Sequence, residues 1–341
     1  MKKKIDFRSD TVTLPSKEMK AFMFNAPLGD DVFEEDPTIN ELENYAAHLF
    51  GKEAALYCPS GTQTNQIAIN VFCTPGDEVI CSNEAHIYKY EGGGIAKNSG
   101  ASVKLLDGDR GRITLAAIQK AVNDPENVHY PLTALVALED TMNRGGGAIY
   151  DINEIEQISA FCKAKGFPLH LDGARLFNAL VETKQDYKSY AAHFDTISIC
   201  LSKGLGAPVG SLLIGDQSFI VKARRVRKVM GGGMRQAGII AAGGLFALKN
   251  NVERLAVDHE NARNLESCLN SCDWVKSVLP VESNIIVANL HDQIDVNKII
   301  SDLSAKNIHI MPFGEQQIRL VTHLDISSDD MDYTLNELKK L

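Results

Sequence analysis

The sequence predicts an α/β fold, with a mainly parallel sheet covered by helices on both faces, followed by a smaller α+β domain. Between about residues 38 and 245, apolar strand-like segments alternate with helical patterns, as in parallel sheets with helical crossovers. After about residue 250, a long helical segment leads into short strands separated by polar helices. Because 341 residues exceed one simple core, we predict a large domain over 1–247 and a small C-terminal domain over 248–341.

A helix before the first strand of the large sheet is predicted to begin at Thr38. Its hydroxyl fits an N-cap, and Glu41 three residues later can reach back to it, which is the pattern of a capping box. Apolar residues between Leu42 and Leu49 then recur at helical spacing, and Gly51 supplies the stop.

Short apolar segments predict the strands of the large sheet. They are Ala54–Cys58, Glu78–Cys81, Val103–Leu106, Thr133–Leu138, Phe167–Leu171, Thr196–Cys200 and Ser211–Ile214. A helix over Asp151–Lys165, with Asp151 as N-cap, lies between two of them. Farther on, a helix over about Asn251–Asn270 is predicted to precede strands that include Ile285–Ala288 and Ile318–Val321.

Composition argues against several classes of protein. A net charge of −9 at pH 7 is unlike that of proteins that bind a phosphate backbone, so no nucleic-acid partner is expected. No apolar run could span a bilayer, and none follows the basic start Met1–Lys4, so we expect neither a membrane nor export. Seven scattered cysteines without a Cys-x-x-Cys pair, and no clustered histidines, predict a cytoplasmic protein without a metal site.

Ser60-Gly61-Thr62 ends a predicted strand and opens a helix. The backbone N–H groups and the dipole at a helix start attract an anion such as a phosphate, and the hydroxyl of Thr62 adds a donor. The alternative is an ordinary tight βα turn, because the segment is neither a P-loop nor a G-x-G-x-x-G motif.

An acidic and a basic residue follow two later strands. Asp172 ends an apolar strand, where a carboxylate needs a cationic partner, either Arg175 or the protonated nitrogen of a pyridine ring. Lys203 follows the next strand among glycines, where desolvation favours Schiff-base chemistry, although a lysine reaching from a strand end to solvent is the commoner case. With the anion turn, these two residues provide the three groups that hold pyridoxal 5'-phosphate (PLP).

Three further residues fit the same site. His86 follows a predicted strand and could stack on a planar cofactor or act as a general base, although a lone histidine is more often structural. Arg235 lies in the glycine-rich corner Gly231–Gln236 and could reach a phosphate. Arg319 enters an apolar strand, where a substrate carboxylate is a suitable partner.

Distinctive motifs run along the whole chain. They are Arg8-Ser9-Asp10-Thr11-Val12-Thr13, Gly29-Asp30-Asp31-Val32, Asp36-Pro37-Thr38, Ser60-Gly61-Thr62-Gln63, Asp172-Gly173-Ala174-Arg175, Leu201-Ser202-Lys203-Gly204-Leu205, Gly231-Gly232-Gly233-Met234-Arg235-Gln236 and Arg319-Leu320-Val321-Thr322-His323. Together they resemble the low-specificity threonine aldolase family. That resemblance implies a PLP enzyme of the aspartate-aminotransferase-like fold (fold type I), which cleaves L-threonine, L-allo-threonine and related β-hydroxy-α-amino acids to glycine and an aldehyde.

The resemblance implies a cofactor site. By that similarity, Lys203 forms the Schiff base with PLP and Asp172 pairs with the pyridine nitrogen. Gly61 and Thr62 hold the phosphate, and Arg235 arrives from a neighbouring subunit.

The resemblance also implies a substrate site and an assembly. His86 stacks on the ring, while Ser9, Arg175 and Arg319 orient the substrate carboxylate, and Arg175 also contacts the cofactor. A homotetramer with active sites at a dimer interface is implied, with a small amino acid as the substrate.

Two positions depart from the family pattern. Met142, in Glu139-Asp140-Thr141-Met142-Asn143, occupies the position where the family usually has a histidine near the substrate hydroxyl, and Phe33 replaces a frequent tyrosine. A thioether cannot shuttle the hydroxyl proton. The sequence therefore leaves open β-elimination, racemisation or cleavage of a bulkier β-hydroxy amino acid on the same scaffold, and also a phosphate-ligand binding protein without enzyme activity.

Overall fold

The computed structural model describes residues 4–341, and Met1–Lys3 of the basic start lie outside the described residues. The strands are β1 (Ile5–Asp6), β2 (Ala54–Cys58), β3 (Glu78–Ser82), β4 (Ser102–Leu106), β5 (Thr133–Glu139), β6 (Leu169–Gly173), β7 (Thr196–Cys200), β8 (Ser211–Gly215), β9 (Val275–Val278), β10 (Ile285–Leu290), β11 (Ile308–His309), β12 (Met311–Gly314) and β13 (Gln317–Val321).

The helices alternate with these strands over most of the chain. They are α1 (Lys17–Phe24), α2 (Pro37–Leu49), α3 (Gly61–Phe72), α4 (His86–Lys89), α5 (Leu115–Ala121), α6 (Ile152–Lys165), α7 (Leu176–Thr183), α8 (Tyr187–Ala191), α9 (Gln217–Val229), α10 (Gly238–Asn250), α11 (Leu255–Leu269), α12 (Val296–Ala305) and α13 (Ser328–Leu338).

The large sheet has seven strands in the order β2-β8-β7-β6-β5-β3-β4. The five strands from β7 to β4 in that order pair in parallel, whereas β8 runs antiparallel to both β7 and β2. Strand β2 therefore points the same way as β7. Every strand except β8 has its carboxyl end at one edge, which is where ligands bind in sheets of this kind. The predicted α/β fold with a mainly parallel sheet is confirmed.

The predicted strands of the large sheet are all present, with shifts of at most two residues at their ends. The largest shift is in β6, which was predicted from Phe167 and begins at Leu169. Phe167 instead donates its N–H to the carbonyl of Cys162, closing the end of α6, and Pro168 has no N–H to give to a sheet. The helix predicted over Asp151–Lys165 begins at Ile152 with Asp151 as its N-cap.

The N-cap of α2 was predicted at Thr38, which is wrong, because the cap lies two residues earlier. Asp36, not Thr38, is the N-cap, because one Asp36 carboxylate oxygen accepts the N–H groups of Thr38 and Ile39 at 3.1 and 3.0 Å. Pro37 occupies the first helical position, for which its fixed φ is suited. The Thr38 hydroxyl instead donates to the carbonyl of Pro27 at 2.8 Å.

The helix predicted over Asn251–Asn270 starts later than its sequence pattern suggests. Helix α10 ends at Asn250 and α11 begins only at Leu255. The intervening Asn251 donates its side-chain amide to the carbonyl of Leu205 at 2.7 Å. This bond anchors the loop after β7, which contains Lys203, to the junction between the two helices.

The smaller sheet is antiparallel, in the order β12-β13-β10-β9, and has its own hydrophobic core. The start of the chain joins this core, since Ile5 and Phe7 are buried in it. Strand β1 pairs in parallel with β11, and Val321 donates its N–H to the carbonyl of Phe7 at 2.8 Å. The division at residues 247 and 248 stays a prediction, with the added finding that the N-terminal segment packs with the C-terminal core.

The cysteines and the helices can be compared with the expectations from composition. All seven cysteines are buried free thiols. Within residues 4–341, no helix combines the length and the apolar character needed to cross a bilayer.

A buried ion pair joins α9 to the β2 side of the sheet. Arg227 is 2% exposed and contacts Asp31 at 2.7 Å through one guanidinium nitrogen. Another guanidinium nitrogen donates to the carbonyl of Tyr57 at 2.6 Å. Removing one partner of such a pair leaves the other charge buried and unpaired, which costs more than the pair itself contributes.

We therefore expect Arg227→Met to lower the free energy of unfolding by about 3–5 kcal/mol, measured by urea denaturation. Arg225→Met, an exposed arginine on the same helix, is the control and should change it by less than about 0.5 kcal/mol. Adding Asp31→Asn to Arg227→Met should restore part of the loss. Equal losses of unfolding free energy in Arg227→Met and Arg225→Met would contradict a buried pair.

Candidate active site

The sheet brings two of the predicted site residues to neighbouring strand ends. Asp172 in β6 pairs in register with Ser198 of β7, and Lys203 follows the end of β7 by three residues. The Asp172 side chain is buried and its residue is 2% exposed. Within residues 4–341, no hydrogen-bond or ion-pair partner is found for the Lys203 amine, although its charge contributes to the lowered pKa of Asp10.

The predicted anion turn lies beside the end of β7. Cys58 at the end of β2 and Cys200 at the end of β7 both pair with Ser211 of the intervening β8. Gly61 begins α3 close to this point, since a Cβ atom added to it would come within 2.6 Å of the Cys200 sulfur. Only glycine therefore fits between the helix start and the sheet.

The first N–H groups of α3 remain available to a ligand. The Ser60 hydroxyl caps the helix by accepting the N–H of Gln63 at 3.2 Å, and the N–H of Thr64 bonds to the Ser60 carbonyl. The N–H groups of Gly61 and Thr62 precede any intrahelical acceptor. With the helix dipole they form an anion site at the strand edge.

Asp172 is held by two N–H donors. One of its oxygens accepts the side-chain amide of Asn65 at 2.9 Å, and the other accepts the backbone N–H of Ala174 at 3.2 Å. The carboxyl group is thus fixed as an acceptor at the strand end, suited to a protonated ring nitrogen.

His86 lies in the same cluster. Its Nδ1 is 3.1 Å from one oxygen of Glu91, whose side chain is fully buried. Burial opposes the charged imidazole, but this hydrogen bond and the nearby Asp172 carboxylate raise the pKa of His86 above its usual value.

Glu139, at the end of β5, joins two loops of the site. One of its oxygens accepts the backbone N–H of His86 at 2.7 Å and the other accepts that of Asn143 at 2.9 Å. Burial, reinforced by the negative charge of Asp172, raises the pKa of Glu139 to about 7.

The atoms of His86, Glu91 and Asp172 that could bind a metal lie within 4.8 Å of one another. However, the amide of Asn65 directs its N–H groups at both carboxylates. A cation placed there would face the positive end of the amide dipole. We therefore interpret the cluster as a hydrogen-bond network.

A pair of arginines forms the second half of the site. Arg175 donates two hydrogen bonds to Asp10, at 2.8 and 2.6 Å, and Asp10 is fully buried. Burial opposes ionisation of Asp10, but the Arg175 guanidinium holds the pKa of that carboxyl well below its usual range. The amide oxygen of Asn143 accepts from Arg175 at 3.3 Å and from Arg319 at 3.2 Å, so both guanidinium groups meet at one atom.

Arg319 is less completely paired than Arg175. It donates to the carbonyl of Arg8 at 3.1 Å, and its guanidinium lies 5.3 Å from the centroid of the Phe313 ring. Its Nε is buried without a hydrogen-bond partner in the part of the chain that is described. Burial and the neighbouring charge of Arg175 lower the pKa of Arg319 to about 10. An anionic ligand would relieve both features.

Of the remaining predicted residues, Ser9 borders this cluster. Its hydroxyl caps a short 3-10 turn by accepting the N–H of Thr11, and it lies 3.5 Å from an oxygen of Asp10. Arg235 and Met142 have other surroundings in the single chain. Arg235 is exposed and forms an ion pair with Asp30 at 2.9 Å. Met142 is fully buried, and a Cβ atom added to Gly111 would come within 2.2 Å of its terminal methyl group, so its side chain packs on that glycine.

Five residues of the site were not assigned roles from sequence: Asn65, Glu91, Glu139, Asp10 and Asn143. Asn65 lies four residues after Gly61, so it shares a face of α3 with the anion turn. Glu91 follows His86 by five residues, just before three glycines. Asp10 and Asn143 lie inside segments that were singled out for other residues, so their positions could have been suspected but their partners could not.

Comparisons with known proteins agree on one family. The beta-eliminating lyase family matches residues 6–293. Low-specificity L-threonine aldolase 1 of Arabidopsis thaliana is 40% identical over 338 residues, covering 97% of this chain and 94% of the relative. The low specificity L-threonine aldolase of Escherichia coli K12 is 40% identical over 328 residues, covering 96% of each chain.

Solved structures share the fold at lower identity. A Leishmania major threonine aldolase superposes with a TM-score of 0.86 at 23% identity, covering 98% of this chain and 99% of the other. A putative L-allo-threonine aldolase of Listeria monocytogenes gives 0.81 at 21% identity, with 99% and 96% covered.

Asp140, next to Glu139, is a further buried carboxyl behind the site. It is fully buried and accepts the hydroxyl of Tyr190 at 2.7 Å. Burial raises the pKa of Asp140 from 3.8 to about 7. Because the folded-state value is raised, its contribution favours folding at low pH and is lost as the pH rises from about 4 towards 7.

We expect Asp140→Asn to flatten this dependence. The wild-type free energy of unfolding should fall by about 1–3 kcal/mol between about pH 5 and about pH 8, and the variant should lose clearly less. Urea denaturation at the two pH values measures the difference. Tyr190→Phe, which leaves the carboxyl in place, should keep the wild-type trend, and an equally steep Asp140→Asn would reject the assignment.

Proposed function

Because the chain belongs to the beta-eliminating lyase family and, within it, to the low-specificity L-threonine aldolases, we propose that it cleaves L-threonine, L-allo-threonine and related β-hydroxy-α-amino acids to glycine and an aldehyde. One observation carries this proposal. The buried carboxylate of Asp172 lies near the end of one strand and Lys203 follows the neighbouring strand, while two arginines converge on one amide oxygen. This arrangement suits an α-amino acid bound through its carboxylate.

We propose PLP as the cofactor. The free N–H groups of Gly61 and Thr62 suit its phosphate, Asp172 suits its ring nitrogen, and the Lys203 amine suits its aldehyde. When bound, PLP supplies a protonated ring that accepts the electron pair released from the Cα–Cβ bond. His86, on the segment after β3, would cover one face of the ring.

The residues of the chain would orient the substrate. Arg175 and Arg319 would bind the α-carboxylate, with Ser9 nearby at the start of the Asp10 turn. Binding through the carboxylate would orient the substrate and so select which bond of Cα breaks. Asp10 holds the Arg175 fork in place through two hydrogen bonds. A free carboxylate would also give Arg319 the partner that its buried Nε lacks.

Proton transfer would fall to His86. Its Nδ1 is engaged by Glu91, which leaves Nε2 to accept the β-hydroxyl proton directly or through a water molecule. Met142, in the loop that also contains Asn143, contributes no hydrogen bond there. The proposal keeps Met142 as a substrate-side residue whose thioether takes no part in the proton step.

The decisive test is a product assay with a lysine variant. Purified protein supplied with PLP and L-threonine should release glycine and acetaldehyde in equal amounts, whereas β-elimination would release a keto acid and ammonia. Lys203→Ala should abolish turnover, because the enzyme would lose the amine that is proposed to bind the cofactor aldehyde. Glycine formation at the wild-type rate by Lys203→Ala would refute the assignment. The same panel run with L-allo-threonine and phenylserine tests the range of substrates.

We also propose a cytoplasmic homotetramer with active sites at a dimer interface. Large apolar side chains such as Phe24, Phe33 and Val229 are 80%, 69% and 88% exposed in the single chain, as expected for faces that pack on other subunits. The seven free thiols agree with a reducing compartment. The exposed Arg235 would reach the phosphate of a neighbouring subunit.

We expect Arg235→Ala to weaken PLP binding about tenfold or more, because one charge-assisted hydrogen bond is lost, without changing the melting temperature of the cofactor-free protein. Equilibrium dialysis measures the affinity, and Arg225→Ala is the control. Refolding Arg235→Ala together with Lys203→Ala should form mixed sites in which one subunit supplies Lys203 and the other Arg235. Recovery of activity in the mixture supports donation between subunits, and its absence contradicts it.

A further inference from the structure

Resting on the proposed function, we propose that Asn65 is a positioning residue of the reaction. Its single buried carboxamide lies between Asp172 and Glu91 and donates one amide hydrogen to each, so that the support of the ring nitrogen and the support of His86 depend on one side chain.

The contacts of Asn65 fix its orientation. The residue is 1% exposed, and its Nδ2 lies 2.9 Å from an oxygen of Asp172 and 2.9 Å from an oxygen of Glu91. Two carboxylates can accept from an N–H₂ group but offer nothing to a carbonyl oxygen. Both amide hydrogens are therefore committed, one to each carboxylate.

The carbonyl end of Asn65 is fixed as well. Its oxygen lies 3.1 Å from Nε2 of His170, whose Nδ1 lies 2.9 Å from the hydroxyl of Thr196. Burial lowers the pKa of His170 to about 4, so the ring is neutral. With Nε2 donating to Asn65 and Nδ1 accepting from Thr196, every polar atom of the amide and the imidazole has a partner.

Asn65 connects the two ends of the proposed cofactor site. It lies one turn after Gly61 on α3, so the helix that begins at the anion turn also supports the residue that faces the ring nitrogen. Through Glu91 the same amide reaches Nδ1 of His86. One side chain therefore joins three parts of the site: the carboxylate at the ring, the carboxylate behind His86 and the helix at the phosphate.

The charges around this amide explain why it is needed. Several titratable groups surround Asp172. Glu91 and His86 come from the segment after β3, and Glu139 comes from the end of β5. His170 lies on the same strand as Asp172. Two buried carboxylates this close repel each other unless donors lie between them. Without the Asn65 amide, Asp172 would lose the side-chain donor that orients it at the ring nitrogen. Glu91 would lose one of the donors that hold it against His86.

The experiment compares Asn65→Leu with Gln66→Leu in the holoenzyme. Leucine matches asparagine in size and removes both donors. Gln66 donates to Glu91 at 2.6 Å and accepts from Asn98 at 3.2 Å. Among residues 4–341 it forms no hydrogen bond with Asp172, so its variant is the matched control. The readouts are the pH titration of the visible absorption of bound PLP, the rate of PLP release on dilution, and the pH profiles of kcat and KM for L-threonine.

We expect Asn65→Leu to shift the absorption titration by about one pH unit or more, to speed PLP release, and to lower kcat at least about tenfold with KM nearly unchanged. Gln66→Leu should shift only the limb of the kcat profile that reports His86. Asn65→Ser, which keeps one donor in a smaller side chain, should fall between wild type and Asn65→Leu, and it serves as the test variant if the leucine protein does not fold.

A lower melting temperature with unmoved titrations and kcat in both Asn65 variants would overturn the inference, because a merely structural residue would behave in that way. Identical titration shifts in Asn65→Leu and Gln66→Leu would overturn it as well. In either case an active wild-type enzyme leaves the proposed function standing. A wild-type protein that neither retains PLP nor releases glycine would overturn both.

Discussion

Negative charge buried at the carboxyl edge of the large sheet is the constraint on which the arrangement of the site depends. Asp10, Glu91, Glu139 and Asp172 all lie there, and an ionised carboxylate removed from water is costly unless donors replace its hydration. The donors come from separate parts of the chain: the guanidinium of Arg175, the carboxamides of Asn65, Gln66 and Asn284, and several backbone N–H groups. Because each donor must be in place, satisfying the charges also fixes α3, the segment after β3 and the loop after β5 relative to one another.

The fold was largely predictable because its signals are local. Buried parallel strands are continuous apolar segments, and the intervening helices show caps and periodicity, so strands such as Ala54–Cys58 and Thr196–Cys200 could be bounded to the residue. Errors arose where two signals competed. Thr38 and Asp36 can both cap a helix, and in the structure the cap is the carboxylate of Asp36, next to Pro37. The break at Asn251 is set by a bond to Leu205, which no local pattern reveals.

Sequence patterns could single out candidate site residues that lie near strands or in distinctive motifs. Asp172 and Lys203 were expected on neighbouring strands because parallel strands share an edge, and Arg175 and Arg319 were expected to share a ligand. Asn65, Glu91 and Asp10 could not be assigned roles in this way, because their importance lies in partners far away in sequence: Asn65 contacts a residue 107 positions later, and Asp10 one 165 positions later. Sequence patterns record which residue types occur at a spacing, whereas these contacts are created by the packing of whole elements.

The N-terminal segment has an implication for biosynthesis. Ile5 pairs with Ile308, and the carbonyl of Phe7 accepts the N–H of Val321. Three residues after Phe7, Asp10 accepts hydrogen bonds from Arg175. A chain emerging from the ribosome presents this first strand long before its partners exist, since they are among the last residues translated. The arginine fork can be locked only after the C-terminal sheet has emerged. The first residues to be translated are therefore among the last to form their native contacts, and the proposed substrate site is incomplete until translation is nearly finished.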